Sequence, residues 1–187
     1  GAAATGSDYE DLLEDRVLQP LGLQRTSLPR GVRLPRPRMS GYDREPDGAP
    51  VDVTELIAAG YAWASGGVVS TPADQNRFIR GYVGGSLFDR RTQTAQFAWR
   101  SDATSEPPGP GANDAGLAVF RYRTGCGTVY GHTGNTPGYT QFLASSRDGR
   151  RSVVVAVNRQ TTPDVAPAVF RKLRRVFALA VCAAYAE

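Results

Sequence analysis

Four short runs rich in apolar, β-branched and aromatic residues in the second half of the chain most constrain its fold. They cover residues 116–122, 128–133, 139–146 and 152–158. The Asp148-Gly149 pair between the last two runs is typical of a tight β-hairpin turn. Consecutive strands joined this closely pair with each other, so we predict an antiparallel meander.

A long helix is predicted after these strands, over residues 163–184. Its apolar residues recur three or four positions apart, namely Phe170, Leu173, Phe177 and Val181. This spacing gives the helix one apolar face, long enough to cover one face of the meander. We interpret the basic residues of the same helix as a solvated surface rather than a nucleic-acid or membrane surface, because no basic stripe is paired with stacking aromatic residues elsewhere.

The first half of the chain carries helix signals. Ser7-Asp8-Tyr9-Glu10 is a capping box and predicts a helix over residues 8–19. A second helix is predicted from Thr71, as the N-cap, to Gly84-Gly85, with a buried face of Phe78, Ile79 and Tyr82. A helical first half followed by an antiparallel sheet and a terminal helix predicts the α+β class.

Two segments are rich in proline and glycine and have little periodicity. Residues 27–50 predict a long ordered loop, and residues 101–113 predict a flexible one. The whole chain has 187 residues, of which 41% are apolar, so it can bury the core of one domain or of the larger part of a two-lobed one. No run approaches the roughly 18 apolar residues of a membrane span, and no basic-then-apolar leader opens the sequence.

The residues that could carry chemistry are few. His132, the only histidine, lies in the strand-like run Val129-Tyr130-Gly131-His132-Thr133-Gly134, where a hydroxyl and an imidazole could hold acyl chemistry. The only lysine, Lys172, has Val169 rather than serine three residues before it, so no Ser-x-x-Lys motif is present. No serine lies in a Gly-x-Ser-x-Gly elbow, and although a Ser-His-Asp triad with His132 stays open, we expect no self-contained active site.

Metal and cofactor chemistry find no support in the composition. One histidine and two distant cysteines do not make a metal site, and we predict no cofactor. Cys126 and Cys182 could form a disulfide, which would indicate an oxidising compartment, or remain two separate buried thiols.

His132-Thr133-Gly134 resembles the Lys-Thr-Gly motif of the serine β-lactamase and penicillin-binding superfamily, in the His-Thr-Gly form of some D-alanyl-D-alanine carboxypeptidases. The similarity to the secreted actinomycete carboxypeptidase group extends over nearly the whole chain. It includes residues 9–23, 64–71, 116–119, 126–134, 138–139 and 144–153.

This resemblance implies a β-lactamase-like fold in which residues 1–187 are the C-terminal portion of a single domain. The Ser-x-x-Lys and Tyr-x-Asn motifs of that superfamily, with the nucleophile and the base, would lie on an N-terminal part that complements this chain. The chain alone would then be inactive. The resemblance also implies that Cys126 and Cys182 pair, and that the protein is secreted or lies in the cell envelope.

The resemblance further implies roles for individual residues. His132 would lie near the base of the nucleophile, and Thr133 would bind the substrate carboxylate. The backbone N–H of Asn135 would donate to the oxyanion, and Gly134 would allow the substrate backbone to approach. Tyr61 occupies the place of an aromatic wall residue.

The chain departs from the carboxypeptidase pattern at specific positions. Asn135 and Pro137 replace a threonine and a glutamine, and Phe120 stands where an arginine binds the terminal carboxylate. Arg121 or Arg123 could substitute, although strand alternation places Arg121 on the face opposite Phe120.

The resemblance thus implies a D-alanyl-D-alanine carboxypeptidase-like hydrolase that acts on peptidoglycan peptides. A β-lactamase, an esterase or an amidase on the same scaffold is an alternative. A non-catalytic protein that binds peptidoglycan peptides or a protein partner through the same groove is another.

Overall fold

A five-stranded antiparallel sheet forms the centre of the second half of the chain. The computed structural model describes residues 2–45, 48–56 and 59–186. A small hairpin precedes the sheet and consists of β1 (Tyr42–Arg44) and β2 (Pro50–Asp52). The five strands then follow in spatial order as β3 (Ala112–Ala115), β4 (Phe120–Thr124), β5 (Gly127–Thr136), β6 (Tyr139–Ser145) and β7 (Ser152–Val157).

The helices of the first half are mostly short. They are α1 (Ala2–Thr5), α2 (Tyr9–Leu13), α3 (Gln19–Leu21), α4 (Ala59–Ala62), α5 (Pro72–Gly84) and α6 (Arg90–Gln96). A π-helical turn, Glu14–Leu18, joins α2 to α3 without a break, so that the helical segment predicted over residues 8–19 is confirmed. None of the helices in the described part of the chain is long and apolar enough to cross a membrane.

The terminal helix α7 (Pro167–Ala186) covers one face of the sheet, as predicted, and buries Phe170, Leu173, Phe177 and Val181. The Phe177 ring lies 5.0 Å from the ring of Phe142 in β6. Gln141, which precedes Phe142 in β6, faces the opposite side of the sheet and accepts a hydrogen bond from Gln75 of α5. The sheet is therefore enclosed between α7 and α5.

The disulfide between Cys126 and Cys182 is present, with 5.1 Å between the two Cα atoms. It joins the residue before β5 to the last turns of α7. The pairing that the resemblance implied is thus confirmed, and it fixes α7 to the strand that it covers.

The strand predictions differ from the structure at the start of the sheet. Residues 116–119 do not begin a strand but form a turn, in which Gly116 N–H donates to the Val119 carbonyl and Ala118 has a φ of 54°. β3, which the sequence did not predict, lies before this turn. Its sequence, Ala-Asn-Asp-Ala, has low strand propensity, and it is held by pairing with β4.

The segment over residues 101–113, predicted to be flexible, is exposed at residues 101–104 and largely packed at residues 105–110, and it ends in the start of β3. Ser105, Pro107, Gly109 and Pro110 are buried. A Cβ at Gly109 would overlap the ring of Tyr122, so this glycine permits close contact with the sheet. Proline and glycine here serve tight packing rather than mobility.

The helix caps differ between α2 and α5. The capping box predicted at Ser7 is not formed, because α2 begins at Tyr9 after Asp8, whose side chain makes no cap hydrogen bond. Thr71 caps α5 as predicted and accepts from Asp74 N–H, and Gly85 ends the helix with a φ of 92°. Within the predicted loop over residues 27–50, strand β1 is an element that the prediction missed.

The buried residues of α5 also differ in part from the prediction. Ile79 is buried as expected, whereas Phe78 and Tyr82 are only half-buried. The buried Asp74 accepts hydrogen bonds from Arg25 N–H and the Thr26 hydroxyl, and so fixes the preceding loop to the helix.

We expect Phe177→Ala to lower the free energy of unfolding by about 3–5 kcal/mol, because it leaves a cavity between α7 and the sheet. The matched control is Leu179→Ala on the same helix, since Leu179 is 66% exposed. Urea unfolding of the purified protein measures both. Equal small effects for the two variants would contradict the packing described.

Candidate active site

The strand that carries His132 has one open edge. β4 begins at Phe120, which pairs with Gly131 of β5. From His132 to Thr136, β5 pairs only with β6 among the described residues. The three residues of the His-Thr-Gly motif therefore lie just beyond the part of β5 that pairs with β4.

The backbone of this segment presents polar groups at the open edge. Pro137-Gly138 is a two-residue connection to β6, with Gly138 at a φ of 82°, and Thr136 pairs with Tyr139 across it. The residues that close such a hairpin exchange hydrogen bonds, and bonded pairs alternate along the ladder. This alternation directs the N–H and C=O groups of Thr133 and Asn135 away from β6, to the open edge.

His132 is exposed at this edge. Its ring centroid lies 5.0 Å from that of Phe120, in an edge-to-face arrangement. Its Nδ1 is hydrogen-bonded to the Thr133 carbonyl oxygen. Because a carbonyl only accepts, Nδ1 must carry the proton, so that in neutral imidazole the lone pair is on Nε2.

Thr133, in contrast, turns its hydroxyl into the protein. The residue is 2% exposed, and its Oγ1 donates to the Pro107 carbonyl oxygen at 2.6 Å. The adjacent Tyr122 is fully buried, and this desolvation raises the pKa of its phenol. The packed loop over residues 105–110 thus holds the motif hydroxyl from behind.

Gly131, which precedes the motif, and Gly134, which is its last residue, have different surroundings. A Cβ at Gly131 would overlap the Leu143 carbonyl oxygen, so Gly131 is required by strand packing. A Cβ at Gly134 would make only ordinary contact, at 3.5 Å from Gln141 Nε2. The absence of a side chain at position 134 therefore leaves space beside the open edge rather than solving a packing problem.

Arg121 lies on the other face of the sheet from Phe120, as strand alternation predicted. Its Nε donates to Asp114 Oδ2 at 2.9 Å, and its guanidinium lies 5.0 Å from the centre of the Trp99 ring. Arg123 contacts the same carboxylate. Hydrogen bonding to Arg121, followed by that to Arg123, lowers the pKa of Asp114.

Within the described residues, no side-chain hydrogen bond, ion pair or ring contact joins Tyr61 or Asn135 to the other predicted site residues. Tyr61 is 86% exposed on α4, and within the described ranges no ring contact or hydrogen bond connects it to β5. Asn135 is half-buried in β5.

Two features of the site could not be predicted from the sequence. Gln75 Nε2 of α5 donates to Gln141 Oε1 at 2.9 Å, and this pair of amides lies beside Gly134. Pro107 supplies the carbonyl that binds Thr133. Both features arise from contacts between residues far apart in the chain. In the part of the chain that the structure describes, no group of three or more His, Cys, Asp and Glu residues is placed to hold a metal ion.

A model of the Beta-lactamase family matches residues 2–176, and the chain belongs to this family. Similar solved structures include a D-stereospecific amidohydrolase from Streptomyces sp., 26% identical with a TM-score of 0.74; the match covers 85% of this chain and 46% of that one. A D-amino acid amidase from Ochrobactrum anthropi SV3, complexed with L-phenylalanine amide, is 25% identical with a TM-score of 0.72, covering 84% and 46%.

An octameric penicillin-binding protein homologue from Pyrococcus abyssi shares the fold, at 20% identity with a TM-score of 0.67. Here the match covers 92% of this chain and 39% of that one. The chain thus spans about half the length, or less, of the structures that it matches. The predicted superfamily and the predicted fold are thus confirmed.

Alanine substitutions at the two glycines test their different surroundings. We expect Gly131→Ala to lower the free energy of unfolding by about 1–3 kcal/mol or more, because the methyl group overpacks the sheet. Gly134→Ala is the matched control and should change it by less than about 1 kcal/mol. Thermal or urea unfolding checks both, and a destabilised Gly134→Ala would show that position 134 is also constrained by packing.

Proposed function

We propose that this chain supplies one wall of the active site of a serine acyl hydrolase that cleaves amide or peptide bonds of D-amino acyl donors. The observation that carries the proposal is the open edge of β5, where His132 Nε2 and the Asn135 backbone N–H lie next to the unobstructed Gly134. Membership of the β-lactamase family and the D-amino acid amidases among the similar structures support this chemistry.

Each group at the edge has a role in forming an acyl-enzyme. The Asn135 N–H donates to the oxyanion that develops when the nucleophile attacks the acyl carbon. His132 accepts or returns a proton through Nε2 while Nδ1 remains bound to the Thr133 carbonyl, which fixes the ring. Gly134 lets the substrate backbone lie against the strand. Tyr61 remains proposed as an aromatic wall of the groove.

In this proposal the nucleophilic serine and its lysine lie on an N-terminal part of the same fold, outside these 187 residues. Two surfaces of the described structure suit such a partner. β7, whose sequence is SVVVAV, is an edge strand of the sheet, and no strand in the described part of the chain pairs with its outer edge. The nearby helix α7 exposes Val169, Val176 and Leu179.

We also propose that the protein works in the cell envelope or outside the cell. The disulfide between Cys126 and Cys182 supports an oxidising compartment. A peptidoglycan peptide would then be an accessible donor with the required D-configuration.

His132→Ala in the natural polypeptide that contains this sequence should lower kcat/KM for D-alanine p-nitroanilide about 10- to 1,000-fold, the usual contribution of a proton-transfer group. Lys172→Ala on α7 is the control, since it is remote in sequence from the motif strand and should leave kcat/KM unchanged. An unchanged kcat/KM for His132→Ala would contradict the proposed role.

A further inference from the structure

We infer that the site accepts acyl donors whose leaving group ends in a neutral carboxamide or ester rather than in a free carboxylate. This inference rests on the proposed function and names its substrate class. Three observations support it: the groups in register along the open edge carry no acidic or strongly basic side chain, Arg121 is paired with Asp114, and the Thr133 hydroxyl is bonded to Pro107.

The motif strand has uncharged neighbours. From His132 to Thr136 its partners in β6 are uncharged, namely Leu143, Phe142, Gln141, Thr140 and Tyr139. On the other side the nearest ring is that of Phe120, against His132. Within the described ranges, no Asp, Glu, Lys or Arg is thus in register along this segment, and His132 is its one basic residue.

The two arginines nearest in sequence do not reach this edge. Arg121 and Arg123 both bind Asp114, which is 5% exposed, and Arg121 also stacks on Trp99. A buried carboxylate that loses one of its two cationic partners is less well compensated, which is unfavourable. Recruitment of either arginine to a substrate carboxylate would therefore break an existing ion pair.

The hydroxyl of Thr133 also has a hydrogen-bond partner already. Thr133 Oγ1 donates its single proton to the Pro107 carbonyl and is buried behind the strand. To bind a substrate carboxylate it would have to abandon this buried carbonyl, which would then lack its partner.

A carboxylate that enters such an environment loses hydration without gaining a cation from the β6 partners of the motif strand or from Arg121 and Arg123, whereas a carboxamide or ester loses less hydration. The Gln75–Gln141 amide pair beside Gly134 offers both donors and acceptors, which suit a neutral amide. Phe120 therefore becomes the residue that decides the charge of the leaving group, because its side chain occupies the space against His132.

The reaction itself is balanced without a co-reactant other than water. The serine oxygen forms a bond to the acyl carbon, the carbon–nitrogen bond breaks, and the leaving amine takes up the proton released by the serine. Water then cleaves the acyl-enzyme ester, releases the D-amino acid and restores the serine hydroxyl.

The test compares N-acetyl-D-alanyl-D-alanine with N-acetyl-D-alanyl-D-alaninamide, which differ only at the terminal group, on the natural polypeptide purified from its source. We expect kcat/KM to be at least about tenfold higher for the amide, which is a difference of about 1.4 kcal/mol in transition-state binding. Phe120→Arg should reduce or invert this ratio, and Phe120→Gln, which adds no charge, should not.

A ratio of one or below in the unmodified protein overturns the inference but leaves the hydrolase function standing, because cleavage has been observed. Cleavage of neither compound, nor of D-alanine p-nitroanilide, overturns both. If Phe120→Arg does not fold, product inhibition of the unmodified protein decides instead. D-alaninamide, the leaving group of the amide, should then inhibit more strongly than D-alanine, the leaving group of the acid, and equal inhibition would overturn the inference.

Discussion

The rest of the structure depends on the pairing of β5 with β6, which continues from His132 to Thr136, beyond the residues of β5 that pair with β4. On one face it places Phe142 against Phe177 and so attaches α7. On the other face it places Gln141 against Gln75 and so attaches α5. The same pairing leaves the other edge of β5 free from His132 to Thr136. The same strand pairing therefore both attaches the two helices and forms the candidate active site.

The elements that follow from local physics could be predicted from the sequence. The apolar spacing of α7, the Thr71 cap of α5 and the Asp148-Gly149 turn are each encoded within a few residues. β3 and the packed loop before it could not be predicted, since both depend on partners in β4. Gly109, for example, indicates a loop by its identity, but only the ring of Tyr122 shows why it is packed.

The features of the site also differ in whether they could be predicted from the sequence. The motif at His132 could be found because it is contiguous, and the resemblance identified its class. The tautomer of His132, the burial of the Thr133 hydroxyl and the ion pairs of Arg121 could not, because they depend on the Thr133 carbonyl, Pro107 and Asp114 in three dimensions. These contacts are what separate a generic acyl-transfer edge from one suited to a particular leaving group.

The most direct test of the central claim uses a fluorescent fluorophosphonate, a neutral probe that labels nucleophilic serines. The protein is purified from its source with any bound partner, labelled, and studied by intact mass and peptide mapping. The account predicts one covalent adduct on a serine outside the 187 residues described here, on a longer polypeptide or a bound N-terminal part. An adduct on a serine within these residues, or a folded species of 20.0 kDa without any adduct, would contradict it.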